Sequence, residues 1–427
     1  MQNKVQRKKK ISLTTMIFIA LLAGALTGVV INYLIPPNYV VDDIIVQGVF
    51  YIAGQGFIRL MRMLVVPLVF CSIVCGSMAV GDTKKLGSVG VKTLIFYLCT
   101  TALAITVALM IANLFHPGKG LDMSQIQVAS TVNGTTQSMS MTETLLDIIP
   151  VNIFNSLSEG NMLQIIVFAL ILGVILANMG DRVDIVKNFF GQFNDIMMEM
   201  TMAVMKLAPV GVFCLIAKTF AEIGFEVFLP LLKYMFCVLL ALAVQCFVVY
   251  LGLLKIFSRL NPFIFIKNFF PVMAFAFSTS TSNATIPMNI DTLAEKMGVS
   301  KRISSFTIPL GATINMDGTS IMQGVAVVFT AQAFGIPLDM MDYLTVIGTA
   351  TLASIGTAGV PSVGLITLTM VFNSVGLPIE GIALIMGIDR ILDMTRTAVN
   401  ITGDAVCTTI VASWNKAVDR DVYYRRK

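Results

Sequence analysis

The sequence predicts an all-α integral membrane protein: eight transmembrane helices plus two re-entrant helical hairpins, with inverted repeats in its second half. Three observations point there. Of 427 residues, 56% are hydrophobic and only 12% are charged, whereas soluble domains carry about 25% charge. Several windows of about 20 uncharged residues are long enough to cross a bilayer. Two further apolar segments are interrupted at their centres by Ser- or Gly-rich polar runs, and their flanking charges belong on one side of the membrane.

The first-half spans are expected at 11–36, 45–80, 87–115, 145–178, 194–223 and 226–257. MQNKVQRKKK precedes a stretch without charge from Ile11 to Pro36, which is longer than a signal-peptide core and reads as an uncleaved first span. Basic residues gather at alternate loops: Lys4 to Lys10, then Lys84, Lys85 and Lys92, then Arg182 and Lys187, then Lys255, Arg259 and Lys267. These loops are assigned to the cytoplasm, with both termini. The other loops are acidic or polar, with Asp42 and Asp43, the Ser/Thr-rich 123–144, then Glu222 and Glu226. The net charge of +5 therefore speaks to orientation, and no nucleic-acid partner is implied.

In the second half, 268–292 carries STSTSN at 278–283, and Lys296, Lys301 and Arg302 follow it. A segment that enters from the cytoplasm, turns and leaves on the same side satisfies the charge rule, with arms of about 12 residues, or about 18 Å. Span seven is expected at 303–334. Residues 344–375 then repeat the hairpin pattern around SIGTAGVPS at 354–362, between the outward-facing Asp339, Asp342 and Glu380. The last span covers 380–415. Spans seven and eight each carry a polar interruption, NMDGT at 315–319 and NITGD at 400–404. Broken helices at matching places in inverted repeats point to a transport site near the midplane.

Seven cysteines lie inside apolar segments and read as packing residues, and one histidine, His116, gives a zinc site no support. No GxxxxGK[ST] occurs, LGSVGVKT at 86–93 has the wrong spacing, and no nucleophile–base pair stands out. The chain is therefore read as neither an ATP-driven pump nor an enzyme. A passive channel needs symmetric rings of charge or carbonyls. A cleft holding an arginine with several carboxylates suits an occluded zwitterion better.

That cleft is visible on the last span. At 100° per residue from Asp393, Asp389 lies at about −40°, Arg396 at −60°, Thr397 at +40°, Asn400 at −20° and Asp404 at +20°. A charge facing lipid at the helix centre costs about 2.5–3.5 kcal/mol, so this face lines protein or a wet cavity. An interfacial helix would be rich in Lys and Arg, but this face is mostly acidic and amide. A structural ion-pair network is the remaining alternative. In NMDGT, Asn315 and Asp317 offer side-chain oxygens, and Gly318 allows the helix to unwind and free carbonyls for a cation. A surface turn has the same composition, but PLGATI before and IMQGVAVVF after argue against exposure.

The Ser-rich tip with ATIP at 284–287, PLGATINMDGT at 309–319, SIGTAGVP at 354–361 and DRILDMTRTAVNITGD at 389–404 together resemble the dicarboxylate/amino acid:cation symporters, which include the glutamate transporters. The resemblance covers essentially the whole chain. It implies a glutamate-transporter-like fold and a homotrimer in the cell membrane. Residues 1–85 and 117–224 (spans one, two, four and five) would form a scaffold. Residues 86–116 and 225–427 (spans three and six to eight with both hairpins) would form a mobile transport domain moving like an elevator. It implies uptake of acidic amino acids with sodium as the transported coupling ion and no organic cofactor; a proton-coupled carrier, or one for C4-dicarboxylates or cystine, is the alternative. By the family pattern Arg396 clamps a substrate side-chain carboxylate and Asp393 takes the ammonium. Asn400, Thr397, Thr319, Ser282 and the backbone at Val360 complete that site. One sodium site would use Asp404 with carbonyls of Gly311, Asn315 and Asn400. A second would use carbonyls of Thr313, Ser354, Ile355 and Thr357. A third would use Tyr97, Thr100, Thr101, Asn315 and Asp317. Many members carry a further arginine where this chain has Ser280 or Met394; Arg390 is the candidate substitute. Asp404, where proton-coupled members often have Asn, favours sodium.

The charge pattern places loops near Lys296 and Lys301 in the cytoplasm and those near Asp342 and Gly376 outside. Single-cysteine labelling in a Cys-free background checks this. Labelling at 296–301 by an impermeant reagent outside sealed cells would remove the first hairpin.

Overall fold

The computed structural model describes residues 13–81, 88–121, 149–224, 228–355 and 363–424. Among these the regular structure is helical, apart from one antiparallel bridge between Val299 and Val418. Helix α1 is Leu13–Leu34; a π-helical stretch, Val40–Phe50, leads into α2, Tyr51–Gly81; α3 is Ser88–Phe115. Next come α4 (Ile153–Glu159), α5 (Met162–Met179), α6 (Asp184–Met205) and α7 (Ala208–Ile223). Span six is α8 (Phe228–Ala243), a π-helical turn (Val244–Tyr250) and α9 (Leu251–Ser258). The first hairpin is α10 (Pro262–Thr279) and α11 (Ser282–Met297). The segment expected as span seven folds as α12 (Lys301–Ile314) and α13 (Asp317–Ala333). The second hairpin's arms are α14 (Met340–Ser354) and α15 (Val363–Ser374), followed by α16 (Gly381–Trp414) and α17 (Arg420–Tyr424).

Local chemistry sets these ends. Asn261 accepts the Phe263 amide at 2.9 Å and Pro262 fills the first helical position, so α10 starts before the expected 268. With Ser282–Met297 opposite, the arms have 18 and 16 residues rather than about 12. The charged Lys267, Glu295 and Lys296 ride on the helical feet instead of ending them. At the tip, Ser280 takes a left-handed φ of 53° and bonds back to Ala276. Asp339 and Asp342 form a reciprocal capping box at the start of α14. The tip between α14 and α15, with Thr357 and Val360, lies outside the described residues.

Span seven breaks as expected, but at Asn315 and Met316; Gly318 belongs to the first turn of α13. Span eight does not break at NITGD, for α16 runs unbroken through 400–404. Glycine in a helix costs only about 1 kcal/mol relative to alanine, too little to break a packed helix. Gly403 instead makes room for neighbours: a Cβ there would strike the Tyr250 hydroxyl and the Asn315 amide. The expected single helix of span five is two, α6 and α7, joined at Lys206–Leu207.

Five described helical stretches are long and apolar enough to cross a bilayer: Thr15–Leu34, Val89–Phe115, Gln164–Val204, Phe228–Ser258 and Pro262–Thr279. Their surfaces fit lipid. On α8, Leu229, Leu232 and Phe236 are exposed while Leu231, Tyr234, Cys237, Val238 and Ala241 are buried, so apolar residues occupy the outer face as well as the inner one, beside one exposed lysine, Lys233. All seven cysteines are free thiols. Helix α1 packs on α7, and α2 on α5, α6 and α7. Helix α3 packs on α13, α8 and α14, and α16 on α10, α12 and α13. At the centre, every residue from Asp317 to Ala331 is buried. The chain's polar residues thus converge on α13 and the buried face of α16.

The segment after α16 ties down both feet of the first hairpin. Ser300 donates to the Ala417 carbonyl (3.0 Å) and Asp419 to that of Gly298 (2.8 Å). Arg420 donates to the Ser258 carbonyl (3.3 Å) and the Tyr423 hydroxyl to that of Asn261 (2.9 Å). Truncation after Trp414 is expected to lower the melting temperature in detergent and speed tryptic cleavage at Lys296, Lys301 or Arg302. Unchanged cleavage would show that the tail does not brace the hairpin.

Candidate functional site

The six polar positions predicted to share one face of the last helix are all buried: Asp389, Asp393, Arg396, Thr397, Asn400 and Asp404. Arg396 is 1% exposed, among the largest fully buried side chains. Its Nη1 donates to Asp389 Oδ1 at 2.7 Å and its Nη2 to Asp393 Oδ1 at 2.8 Å. The partners lie seven and three positions back, so the helix repeat itself stacks them on one face. Two carboxylates against one guanidinium leave this trio one negative charge in excess when all are ionised. Arg396 Nε, buried, makes no hydrogen bond within the described residues. The Thr397 hydroxyl bonds back to the Asp393 carbonyl at 2.8 Å.

The break in span seven meets this face. Gly318 N donates to Asn400 Oδ1 at 2.7 Å. A Cβ on Gly318 would stand 2.8 Å from the Arg396 carbonyl oxygen, so only glycine allows α13 to approach α16 this closely. Asn315 donates to the Asn400 carbonyl at 3.0 Å and to Asp404 Oδ1 at 2.8 Å. The Asn400 amide points to Met316 Sδ at 3.4 Å. Gly311 lies against Asp404 and the Tyr97 hydroxyl. Gly364, in the second arm of hairpin two, faces Thr319 and Arg396 Nη2, which sets that hairpin over the arginine.

Asp317 forms the second centre. Thr101 Oγ1 donates to its Oδ1 at 2.6 Å, while Gln245 Nε2 and Tyr250 Oη donate to its Oδ2 at 2.9 and 2.7 Å. The Thr100 hydroxyl donates to the Tyr97 carbonyl at 3.1 Å, and that carbonyl, at 2.8 Å, competes with Asp317 for the single proton of the Thr101 hydroxyl. Asn315, two residues before Asp317, joins this centre to Asp404.

The expected site residues therefore fall in several places. Arg396, Asp393, Asn400, Asn315, Asp404, Asp317, Thr101 and Thr319 are gathered around the α13–α16 contact. Ser282 is buried in the first turn of α11, with its carbonyl accepting Thr285 Oγ1. Thr313 and Ser354 bond within their own helices, to Leu310 and Thr351, and Ile355 ends α14. Thr357, Val360 and the Arg390 side chain lie outside the described residues. Ser280 and Met394 supply no extra cation; the Ser280 hydroxyl is buried with no hydrogen-bond partner among the described residues. Asp389, seen on the polar face but given no role, is half of the arginine's anchorage. Gln245 and Tyr250 were missed. A lone amide in the apolar VLLALAVQCFVVY was the available signal for Gln245; nothing local marks Tyr250.

A buried, charged and hydrogen-bonded cluster where a broken helix meets a second polar helix is a feature of secondary transporters. The chain belongs to the sodium:dicarboxylate symporter family, whose sequence profile matches residues 13–414. It is similar to the proton/sodium-glutamate symport protein of Bacillus caldotenax, with 38% identity over 95% of each chain. It is also similar to the proton/glutamate-aspartate symporter of Escherichia coli (strain K12), 36% identical over 96% of this chain and 94% of that one. The C4-dicarboxylate transport protein 1 of Ralstonia nicotianae is 32% identical over 86% of each.

A hydrogen bond to a charged group is worth about 1.5–3 kcal/mol, and without Asp389 the guanidinium keeps Asp393 as a partner. Asp389→Ala is thus expected to lower the melting temperature of the solubilised protein clearly more than Thr395→Ala, whose hydroxyl only bonds back along an exposed side of the same helix. Equal shifts would show that the arginine does not depend on Asp389.

Proposed function

We propose that this protein is a secondary active symporter that takes up acidic amino acids, glutamate or aspartate, with sodium across the cell membrane. The observation that carries this reading is the buried Arg396 held between two carboxylates. A guanidinium fork matches a carboxylate bidentately, so a substrate side-chain carboxylate competes for the nitrogens that Asp389 and Asp393 now hold. The trio's excess negative charge suits the substrate ammonium, taken by Asp393. Asn400, Thr319, Ser282 and the backbone at Val360 serve the α-carboxylate, and Thr397 keeps its neighbour in register. The names of the Bacillus and Escherichia relatives, a glutamate and a glutamate-aspartate symporter, support the same substrate class.

Sodium is cargo in this reading, held at Asp404 and at Asp317 with the neighbouring carbonyls and hydroxyls named above. A carboxylate neutralises a buried cation, which an amide cannot do. The mobile unit is residues 86–116 and 225–427, sliding as an elevator against 1–85 and 117–224 within a homotrimer, with both termini cytoplasmic. The packing of α1, α2 and α5–α7 on one another, and of α3 and α8 on α13, is consistent with that division. A second reading keeps the fold but couples to protons or carries C4-dicarboxylates, and it draws on the printed names of the relatives.

Uptake of a panel of acidic and neutral solutes into proteoliposomes under imposed sodium or proton gradients separates these readings. Sodium-driven glutamate or aspartate uptake is expected; uptake driven by protons without sodium would favour the second reading. Truncating one partner of a desolvated charged pair costs about 2–5 kcal/mol, a factor of roughly 30 to several thousand in affinity. Arg396→Cys should therefore abolish acidic-substrate uptake, and affinity within about twofold of the unaltered protein would sink the clamp. Asp393→Asn should damage amino-acid uptake while sparing a C4-dicarboxylate, which has no ammonium.

A further inference from the structure

Gln245 and Tyr250 sit five residues apart, at either end of the π-helical turn Val244–Tyr250 that interrupts span six. On a regular α-helix, positions i and i+5 point about 140° apart. The wider i→i+5 turn of a π-helix brings them towards one side. Here both reach the same atom, Asp317 Oδ2, at 2.9 and 2.7 Å. The π turn is thus the local geometry that lets two donors of one helix converge on a single oxygen. All three residues are fully buried.

The consequence is a lone-pair count. Each carboxylate oxygen has about two acceptor positions. Gln245 and Tyr250 fill those of Oδ2, while Oδ1 lies at the Thr101 hydroxyl, whose one proton also reaches the Tyr97 carbonyl. The acceptor capacity open to an ion therefore lies on the Oδ1 side. A second observation points to a ligand near this carboxylate. Asn315 Oδ1, two residues along the chain, is a buried oxygen with no hydrogen-bond partner within the described residues, although its amide nitrogen is used twice. Unpaired buried oxygens are costly, and a cation is the natural partner for oxygens of this kind.

Gln245 also carries a cost of its own. Its Oε1 is buried with no hydrogen-bond partner among the described residues, so the amide burdens the fold unless its N–H group does something an apolar side chain could not. We infer that Gln245 and Tyr250 are positioning residues for the coupling cation: by occupying Asp317 Oδ2 they turn the carboxylate to meet the ion through Oδ1 alone. This rests on the proposed role of Asp317 as a cation ligand and deepens it. Neither residue touches the ion. Tyr250 has a further tie to the substrate helix, because its hydroxyl lies against Gly403 of α16. The π turn therefore connects span six to the carboxylate and to the substrate-bearing helix together.

The test uses the full chain in detergent and in proteoliposomes, with labelled L-aspartate as probe and sodium titrated. Tyr250→Phe keeps the ring and removes one donor; Gln245→Met keeps the volume and removes the other. Each is expected to raise the sodium concentration for half-maximal aspartate binding about tenfold, the weight of one hydrogen bond to a charged group. Aspartate affinity at saturating sodium should stay within about twofold, since neither residue is assigned to the substrate site. Sodium dependence within twofold of the unaltered protein in both variants, or tighter, overturns the inference. So does a loss of aspartate affinity that is equal at all sodium concentrations, which is what a merely structural role predicts. If Tyr250→Phe does not assemble, Gln245→Met carries the test. Asp317→Asn is run in parallel: unchanged sodium dependence there defeats the cation role of Asp317 itself. Strong loss there with no effect of the other two defeats only the positioning role.

Discussion

The cost of holding charge away from water governs this molecule. Asp317, Asp389, Asp393 and Asp404 are all buried, and one guanidinium, Arg396, is buried with them. Full ionisation of these five leaves three negative charges uncompensated. An acidic amino acid, with one ammonium and two carboxylates, would deepen the deficit to four. Burying isolated charge is prohibitive, so occupancy of such a site by an anionic solute demands accompanying cations. Coupling on the proposed reading is then a consequence of electrostatics. The solute needs the cations because it would otherwise add to a charge the site already leaves uncompensated.

The structure meets the same constraint by hydrogen bonding. Arg396 is shared between carboxylates on successive turns, Asp404 receives the Asn315 amide, and Asp317 receives three donors. Asn315 stands where α12 ends and α13 has not begun, so its side chain reaches both Asp404 and the Asn400 backbone. A continuous helix there would bind those backbone groups to itself. The break and the network are parts of one arrangement, and Gly318 permits the close contact that completes it.

Two irregular turns bear on one carboxylate from different helices: the break before Asp317 and the π turn of span six. Irregular backbone deep in an apolar bundle is tolerated only where its polar groups find partners or line a cavity. Here the partners belong to the candidate site. Hairpin two closes over the same place through Gly364, and the C-terminal tail braces the opposite hairpin at its feet.

Much of this was legible in the sequence for definite reasons. Lipid demands long apolar helices, so hydropathy located them; a charge on a helix must face away from lipid, so 100° periodicity identified the buried face from Asp389 to Asp404. Turn chemistry at NMDGT located the break. The same logic failed at NITGD, because a glycine only permits a break, and packing against Tyr250 and Asn315 kept α16 whole. Hairpin arms were read too short because charge was taken to end a helix, whereas Asn261 and Pro262 started α10 earlier. Residue types and helical period by themselves determined the membrane-embedded helical class, the polar face and the broken seventh span. Only the tertiary structure decided which carboxylates hold Arg396, that Asn315 bridges two centres, and that Gln245 and Tyr250 reach Asp317. The carboxylates on Arg396 lie only three and seven positions back on one helix; the contacts of Asn315, Gln245 and Tyr250 join residues far apart in the chain, one pair through a π turn, and no local pattern encodes a distance across a bundle.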